Sequence, residues 1–441
     1  DRTIITGGPG TGKTTTVAKI ITLLTMLSES NLKIRLAAPT GKAAMRLSQS
    51  LTSQFEATGG LRVQTLHRLL GVRRDGRGFR FNAENPIAAD VLIVDEASMI
   101  DLPMMYRLLT ALPDQARLIL VGDPDQLPSV DTGNVLADLC VPTSGYSKPF
   151  TMLTKDLLGI SLKVNTPSHP LDDMRCHLRI SHRFSAEEGI GKLARHIAEK
   201  NIEIPAIGDG INVEDPETLH GENRNSLLLA DFGHYLDELQ NPKNNPADLA
   251  LLFEQTRLLA PMREGDLGVE ELNTSIESEL ESQGLKPRAG AFYHGRPILI
   301  LRNDYNLQLY NGDVGICIAA DDINHPMVAF TNPAGETRLM LASRLPPHET
   351  CFAMTVHKAQ GSEFKSVTLI LPAQLNQNAE QLLSRELVYT AITRAQKQVT
   401  LYTNAVIWQQ CMENSVPRVS GIDDFFQKPP SPTINQRNLF E

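Results

Sequence analysis

Gly7-Gly8-Pro9-Gly10-Thr11-Gly12-Lys13-Thr14 decides the fold. The stretch fits G-x-x-x-x-G-K-[ST], with an apolar run from Thr3 to Thr6 before it and a strong helical stretch, Lys13 to Leu27, after it. Its glycines let the backbone curl until successive N–H groups face one centre, where a helix N-terminus adds positive partial charge. Such a nest binds polyphosphate. Gly7, Gly8, Pro9, Gly10, Thr11, Gly12 and Thr15 form its wall, Lys13 reaches the β- and γ-phosphates, and the Thr14 hydroxyl ligates Mg²⁺. The expected cofactors are ATP and Mg²⁺.

A chain of 441 residues holds two to four domains. No apolar run nears the ~18 residues that cross a bilayer and residues 1 to 30 lack a signal peptide, so a cytoplasmic location and no membrane partner are expected. The five cysteines are scattered without Cys-x-x-Cys, which indicates reduced thiols and neither zinc nor disulfides. The net charge of −9 is unevenly spread: Lys33 to Arg80 holds ten Lys/Arg and two acids. A phosphate backbone responds to that local field within about a Debye length, so a nucleic-acid partner stays open, as does a plain solvated basic face. Glu199 to Glu281, with nineteen acids and five bases, suits solvated helices or a protein partner. The chain opens on its first strand without a methionine and reads as a fragment of a longer protein.

Strand, small-residue turn and helix then repeat, the pattern of an α/β domain with a parallel sheet. Lys33 to Ala38 is an apolar strand ending in Pro39-Thr40-Gly41-Lys42, with a helix from Ala43 onward. Turns at the carboxyl ends of such strands bind ligands, which places Thr40 and Lys42 on the functional edge and Thr65 and His67 in the next loop. Between Leu70 and Phe81, Asp75-Gly76 signals a hairpin. Its arginines, Arg73 and Arg74 among them, and Phe79 or Phe81 suit a nucleic-acid wedge that stacks on a base, and a surface hairpin equally.

Val91-Leu92-Ile93-Val94-Asp95-Glu96 reads as a strand buried on both faces that delivers two acids to the phosphate-loop side. Asp95 is expected to hold Mg²⁺, directly or through water, and Glu96 to orient and deprotonate the attacking water. Leu118 to Val121 delivers Gly122-Asp123-Pro124-Asp125-Gln126-Leu127, where the Gln126 amide has the chemistry of a phosphate sensor. Residues 141 to 176 read as a long loop or insertion at a domain boundary. Arg183, in Ser181-His182-Arg183-Phe184, is a candidate arginine supplied from outside the first domain. Helical, acidic sequence runs from Ile190 to Gln283, interrupted by a strand-like Leu258 to Pro261. Four short β runs between Pro297 and Leu341 have the pattern of a small inserted barrel. Strands at Cys351 to Val356 and Val367 to Leu371 flank His357 to Glu363, and a helix from Glu386 to Ala395 places Arg394 near its end. The proline-rich tail from Gln427 is expected to lack a fold.

Seven motifs thus occur in fixed order: Gly7 to Thr14, Ala38 to Lys42, Thr65 to Arg68, Asp95 to Ser98, Gly122 to Leu127, Thr355 to Phe364 and Val388 to Arg394. Together they resemble a superfamily 1 helicase. Ser98 to Met105, Ser181 to Phe184, Gly189-Ile190-Gly191 and Val388 to Ala395 are similar to its RecD branch, the alpha subunits of exodeoxyribonuclease V. The resemblance implies two RecA-like P-loop domains with ATP at their interface, a β-hairpin insertion in the first and an SH3-like β-barrel insertion in the second. It divides the chain into domain 1 (1–140, hairpin about 70–88), an insertion or linker (141–177), domain 2 in two parts (178–296 and 346–414), the SH3-like insertion (297–345) and a flexible tail (415–441). Carried onto matching positions, it makes Arg183 and Arg394 arginine fingers. It puts Glu363 near the ribose or the domain interface, and Pro39, Thr40, Lys42, Thr65, His67, Thr355 and His357 on a single-stranded DNA track.

The implied activity is 5′-to-3′ DNA translocation and unwinding within a bacterial, cytoplasmic complex with RecB- and RecC-like subunits. The segment that docks on them is expected to be missing here, and the chain carries no nuclease carboxylate cluster. A nucleotide-regulated single-strand clamp without motor activity, or the helicase core of a conjugative relaxase-type protein, are the alternatives. The clamp has no need of Glu96 and two fingers.

Overall fold

The computed structural model describes residues 2–28, 32–54, 61–73, 78–129, 133–140, 145–166, 171–184, 188–205, 208, 210–241, 245–288, 290–304, 306–318, 325–332, 336–416 and 421–422. Among them the chain builds two parallel sheets and one antiparallel sheet.

The first parallel sheet contains β1 (Arg2–Gly7), β2 (Ile34–Ala38), β3 (Val63–Thr65), β4 (Val91–Val94), β5 (Arg117–Gly122) and β6 (Arg175–Leu178), in the order β3-β2-β4-β5-β1-β6. All four residues of β4 are buried, as a strand with neighbours on both edges and cover on both faces requires. The helices are α1 (Lys13–Leu27), α2 (Gly41–Gln54), α3 (Leu66–Leu70), α4 (Leu102–Ala111), α5 (Val135–Leu139) and α6 (Lys148–Leu158). The helix α1 lays Val17, Ala18 and Ile21 on the sheet. Asp101 caps α4 by accepting from the Met104 N–H at 2.6 Å, and Pro103 occupies the first turn, where no N–H partner is needed.

The stretch expected as loop from 141 to 176 holds α6, capped by Ser147 with Pro149 in its first turn. Phe150, Leu153 and Leu157 recur at helical spacing, yet the helix buries none of its residues, and Met152, Leu153, Leu157 and Leu158 are exposed. The expected linker 141–177 also ends in a strand: β6 pairs with β1 from Ile4↔Arg175 to Gly7↔Leu178, so the first sheet closes with residues that lay beyond the expected domain boundary.

The second parallel sheet, β14-β8-β15-β16-β7, consists of β7 (Ile211–Glu214), β8 (Thr256–Ala260), β14 (Ala353–Thr355), β15 (Phe364–Ile370) and β16 (Ala395–Tyr402). Helices α7 (Gly189–Ala198), α8 (Arg224–Ala230), α9 (Gly233–Leu239), α10 (Pro246–Phe253), α11 (Val269–Ser282), α12 (Gln377–Leu382), α13 (Arg385–Ile392) and α14 (Ala405–Glu413) accompany it. Inserted between β8 and β14 is the antiparallel sheet β12-β11-β10-β9-β13, made of β9 (Pro297–Ile300), β10 (Val314–Ile318), β11 (Met327–Thr331), β12 (Thr337–Leu341) and β13 (His348–Thr350). Four of these strands match the expected β runs. The fifth, β13, ends just before the strand expected at Cys351 to Val356 and falls in none of the expected runs.

At the expected hairpin, Val72 and Phe79 form one antiparallel bridge and the Arg73 N–H donates to the Gly78 carbonyl at 3.2 Å. Arg74 and Asp75-Gly76 lie outside the described residues, as does the tail from Gln427. Phe79 and Phe81 are half-buried against the first core, and Arg107 sits 5.1 Å over the Phe79 ring. The sequence reading offered these rings to a base; their packing turns them inward.

Where the inserted sheet returns to the parallel one, the Asn273 amide on α11 pins the backbone. It donates to the carbonyls of Thr350 (3.2 Å) and Ala353 (3.0 Å) and accepts from the Ala353 N–H (2.9 Å). Asn273→Leu leaves those buried groups without partners, and unfolding stability should drop by about 3 kcal/mol. The single tryptophan, Trp408, is fully buried in the second core, so its fluorescence during urea unfolding reports on this domain. An unchanged midpoint would remove Asn273 as a structural tie.

Candidate nucleotide and nucleic-acid site

The phosphate loop bridges β1 and α1 as the sequence predicts, with Gly10 at φ +73° and Gly12 at φ +80°. A side chain at Gly10 would strike Arg183 and Ser181, and one at Gly7 would come within 2.5 Å of Thr11 Oγ1. Lys13 Nζ donates to the Gly7 and Gly8 carbonyls at 2.7 and 3.0 Å, and Thr11 Oγ1 to the Gly8 carbonyl at 2.8 Å.

Asp95 and Glu96 follow β4 directly. Glu96 takes the left-handed conformation at φ +52°, unusual for a side-chain-bearing residue, and its N–H donates to Asp95 Oδ1 at 2.9 Å. Burial and the Glu96 charge push the Asp95 carboxyl up to about 6, against the pull of that N–H and of Lys13. Thr14 and Asp95 offer hard oxygen donors, the set that Mg²⁺ accepts alongside phosphate oxygens and water. Among the described residues no group of three or more His, Cys, Asp or Glu is placed to hold a metal.

Gln126, buried, donates its amide to Asp123 Oδ2 at 3.2 Å. Burial raises Asp123 to about 6. The second domain meets this loop directly: Tyr389 Oη donates to Asp123 Oδ2 at 3.3 Å, the Leu127 N–H to Thr390 Oγ1 at 2.7 Å, and Gln360 Nε2 to the Leu127 carbonyl at 2.9 Å.

Arg183 lies five residues past β6, on the strap that joins the two parallel sheets rather than within the second. Ser181 Oγ donates to the Pro9 carbonyl at 3.0 Å and the His182 N–H to Gly10 at 2.8 Å, so the strap rests on the phosphate loop. Arg183 Nη2 pairs with Glu363 Oε1 at 2.8 Å, and Gln396 bonds the other carboxylate oxygen of Glu363. Glu363 therefore stands where strap and second domain meet, its carboxyl held below the usual range by Arg183 against burial. Arg394 is buried, donating to the carbonyls of Thr390 (3.1 Å) and Ser362 (3.4 Å).

The expected nucleic-acid residues divide. Thr40, Thr65 and Thr355 each accept the backbone N–H three residues on, at 3.2, 3.3 and 3.4 Å, which stiffens the three loops while each hydroxyl keeps a hydrogen to donate. Pro39 precedes the first of these. His67 is exposed, its ring 6.0 Å from Phe79, and Arg73 is exposed beside them. His357 is half-buried, which lowers its pKa. Lys42 and Thr65 line one cavity of about 630 Å³ between α2 and the antiparallel sheet, together with Arg46, Tyr310, Asp313 and Arg338. Burial first and Arg46 second lower Lys42 to about 8. Neither Thr355 nor His357 lines that cavity.

Sequence reasoning assigned no role to Arg46, Asp123 or Tyr389. Asp123 and Tyr389 stand inside quoted motifs; Arg46 is one helical turn past Lys42, within electrostatic reach of Glu363, Arg394 and Glu96.

A family model described as an AAA domain matches residues 1–132, and one described as a UvrD-like helicase C-terminal domain matches residues 350–402. The RecBCD enzyme subunit RecD of Haemophilus influenzae is 38% identical, the match covering 95% of this chain and 69% of that protein. Its namesake in Mycolicibacterium smegmatis is 36% identical over 95% of this chain and 71% of its own length. An ATP-dependent RecD2 DNA helicase of Deinococcus radiodurans is 32% identical over 92% of this chain and 47% of its own length.

The raised Asp95 carboxyl carries a stability signature. Its cost to the fold is full above about pH 6, shrinks as pH falls, and vanishes below about pH 4, where the group is protonated folded and unfolded alike. Asp95→Asn, uncharged throughout, should melt higher than the parent at about pH 7.5, with the gap closing toward about pH 4. Differential scanning fluorimetry without magnesium or nucleotide measures it; a gap independent of pH would return Asp95 to an ordinary carboxyl.

Proposed function

The chain belongs to the RecD family of superfamily 1 helicases, and from that membership we propose that it is an ATP-driven DNA helicase and translocase, the 5′-to-3′ motor subunit of a RecBCD-type exodeoxyribonuclease V complex in double-strand break repair and recombination. The observation that carries this reading is the meeting of both parallel sheets at one cleft, where Tyr389, Thr390 and Gln360 bond to Asp123 and Leu127 beside the phosphate loop. A nucleotide held there touches both domains, so its hydrolysis is felt by both.

The two parallel sheets are the RecA-like domains, the antiparallel sheet the SH3-like insertion, and the short hairpin at Val72 and Phe79 the base of a strand-splitting pin. ATP is the substrate. Loop N–H groups and Lys13 take its phosphates, and the donors Thr14 and Asp95 suit Mg²⁺, which when bound neutralises phosphate charge. Glu96, set at the end of β4 by its left-handed backbone, orients the attacking water and takes its proton. Gln126 senses the γ-phosphate. Arg183 reaches the transition state from the strap, exchanging Glu363 for phosphate. Arg394 does so by leaving the Thr390 and Ser362 carbonyls as the cleft closes. Alternating closure and opening change the spacing between the Thr40, Thr65 and His67 grip on the first domain and the Thr355 and His357 grip on the second, which draws single-stranded DNA past both. RecB- and RecC-like subunits in the bacterial cytoplasm are the partners that go with this assignment.

ATP hydrolysis with and without single-stranded DNA tests the reading, with Lys13→Ala as blank. Stimulation by DNA is expected, and Glu96→Gln should bind ATP yet lose about 10²–10⁴-fold in turnover. A duplex with a 5′ tail should be unwound in preference to one with a 3′ tail. No stimulation would favour a static clamp, and preference for the 3′ tail would reverse the direction.

A further inference from the structure

One carboxylate oxygen in the cleft serves both domains. Asp123, 1% exposed at the end of β5, accepts at Oδ2 from the Gln126 amide (3.2 Å) and from the Tyr389 hydroxyl (3.3 Å), while its Oδ1 takes the Asp125 N–H at 3.1 Å. Gln126 is the sensor residue of the first domain; Tyr389 stands on α13 of the second. We infer that Tyr389 is a positioning residue of the motor, whose hydroxyl shares Asp123 with Gln126 and thereby sets the direction of the sensor amide when the cleft closes. The inference rests on the assignment of this cleft as the site of ATP hydrolysis.

Three further observations support it. The Tyr389 ring belongs to the second core, so packing alone accounts for the ring and leaves the hydroxyl as the part that reaches the first domain. That hydroxyl lies against the phosphate loop, 3.1 Å from where a Cβ on Gly8 would stand. Burial and the neighbouring Asp123 and Asp125 charges push the phenol far up, so it stays a hydrogen-bond donor. The adjoining residues extend the linkage: Thr390 holds the Leu127 N–H through its hydroxyl and Arg394 Nε through its carbonyl. A step from Tyr389 to Arg394 therefore carries sensor and candidate finger together.

The chemistry gives the coupling a direction. An anionic oxygen that accepts two donors holds each less strongly than one that accepts a single donor, because its charge is shared. With Tyr389 engaged, the Gln126 amide turns from Asp123 toward the phosphates more readily. With the cleft open and Tyr389 withdrawn, Asp123 keeps the amide to itself. The sensor is then released in the closed state, where hydrolysis takes place.

Tyr389→Phe keeps the ring and removes the hydroxyl. ATP titrations of the parent, Tyr389→Phe, Gln126→Ala and the double variant, each with and without an oligothymidylate, should give a roughly tenfold fall in kcat for Tyr389→Phe, with KM for ATP within about twofold and the melting midpoint unmoved. Because Tyr389 acts through Gln126, the double variant should be no slower than Gln126→Ala. A parental kcat in Tyr389→Phe, a loss confined to KM or to melting, or losses that multiply in the double variant would each overturn the inference. The cycle is read on hydrolysis itself. A parent unstimulated by DNA therefore counts against the motor, while the cycle still judges Tyr389.

Discussion

Two glycines held at positive φ, Gly10 and Gly12, are the constraint on which the cleft depends. They turn the backbone out of β1 so that its N–H groups converge, a path that any Cβ strains. At Gly10 the constraint is also one of contact, because the space a side chain would fill is occupied by Arg183 and Ser181. Phosphate loop and strap are thus fitted to each other. Since the strap runs from β6 of the first sheet to α7 of the second, the nest that binds phosphate is also part of the joint between domains.

The cleft gathers groups that would be more stable apart. Asp95 and Glu96 are like charges at adjacent positions, Glu96 holds a backbone conformation that costs on the order of 1–3 kcal/mol, and Asp123 is a buried acid whose hydrogen-bond partners among the described residues, the Asp125 N–H, the Gln126 amide and the Tyr389 hydroxyl, are all neutral. Lys13 is the cation that lowers both acids, yet its ammonium is spent on the Gly7 and Gly8 carbonyls. On the proposed reading, a divalent cation at Thr14 and Asp95 would supply the positive charge that this arrangement lacks. The strain is local, and the burial of β4 on all sides keeps it from relaxing.

The sequence made most of the architecture legible because its signals are local. An apolar run, a glycine turn and a helix recur often enough to place β1, α1, β4 and β5 within a residue or so, and the four β runs announced the inserted sheet. What escaped was long-range. The pairing of β6 with β1 joins residues about 170 apart, and no pattern in Arg175 to Leu178 reveals its neighbour. The helix α6 carries Phe150, Leu153 and Leu157 at helical spacing, but it lies in a Pro/Ser/Thr/Gly-rich stretch whose composition reads as loop. Lys42 is placed on the functional edge by its turn, and only the fold shows that it shares a cavity with Thr65 and Asp313. Tyr389 stood in a recognised motif, but its partner Asp123 lies 266 positions earlier, and only the fold brings the two together.

The helix α2 shows how the two ends of the reaction can be tied without a long pathway. Thr40 caps its first turn, Lys42 follows, and Arg46 stands one turn further on, a rise of about 6 Å. The first of these is a proposed nucleic-acid contact, and the last lies within electrostatic reach of Glu96, Glu363 and Arg394. Tyr310 of the inserted sheet closes on the helix from the other side: a Cβ on Gly41 would meet its ring at 2.8 Å. A helix is stiff over so short a span, so a shift at Gly41 is a shift at Arg46. The inserted sheet, the phosphate loop's acids and the second domain therefore bear on one rigid element. Movement of any one changes the field and the space available to the others.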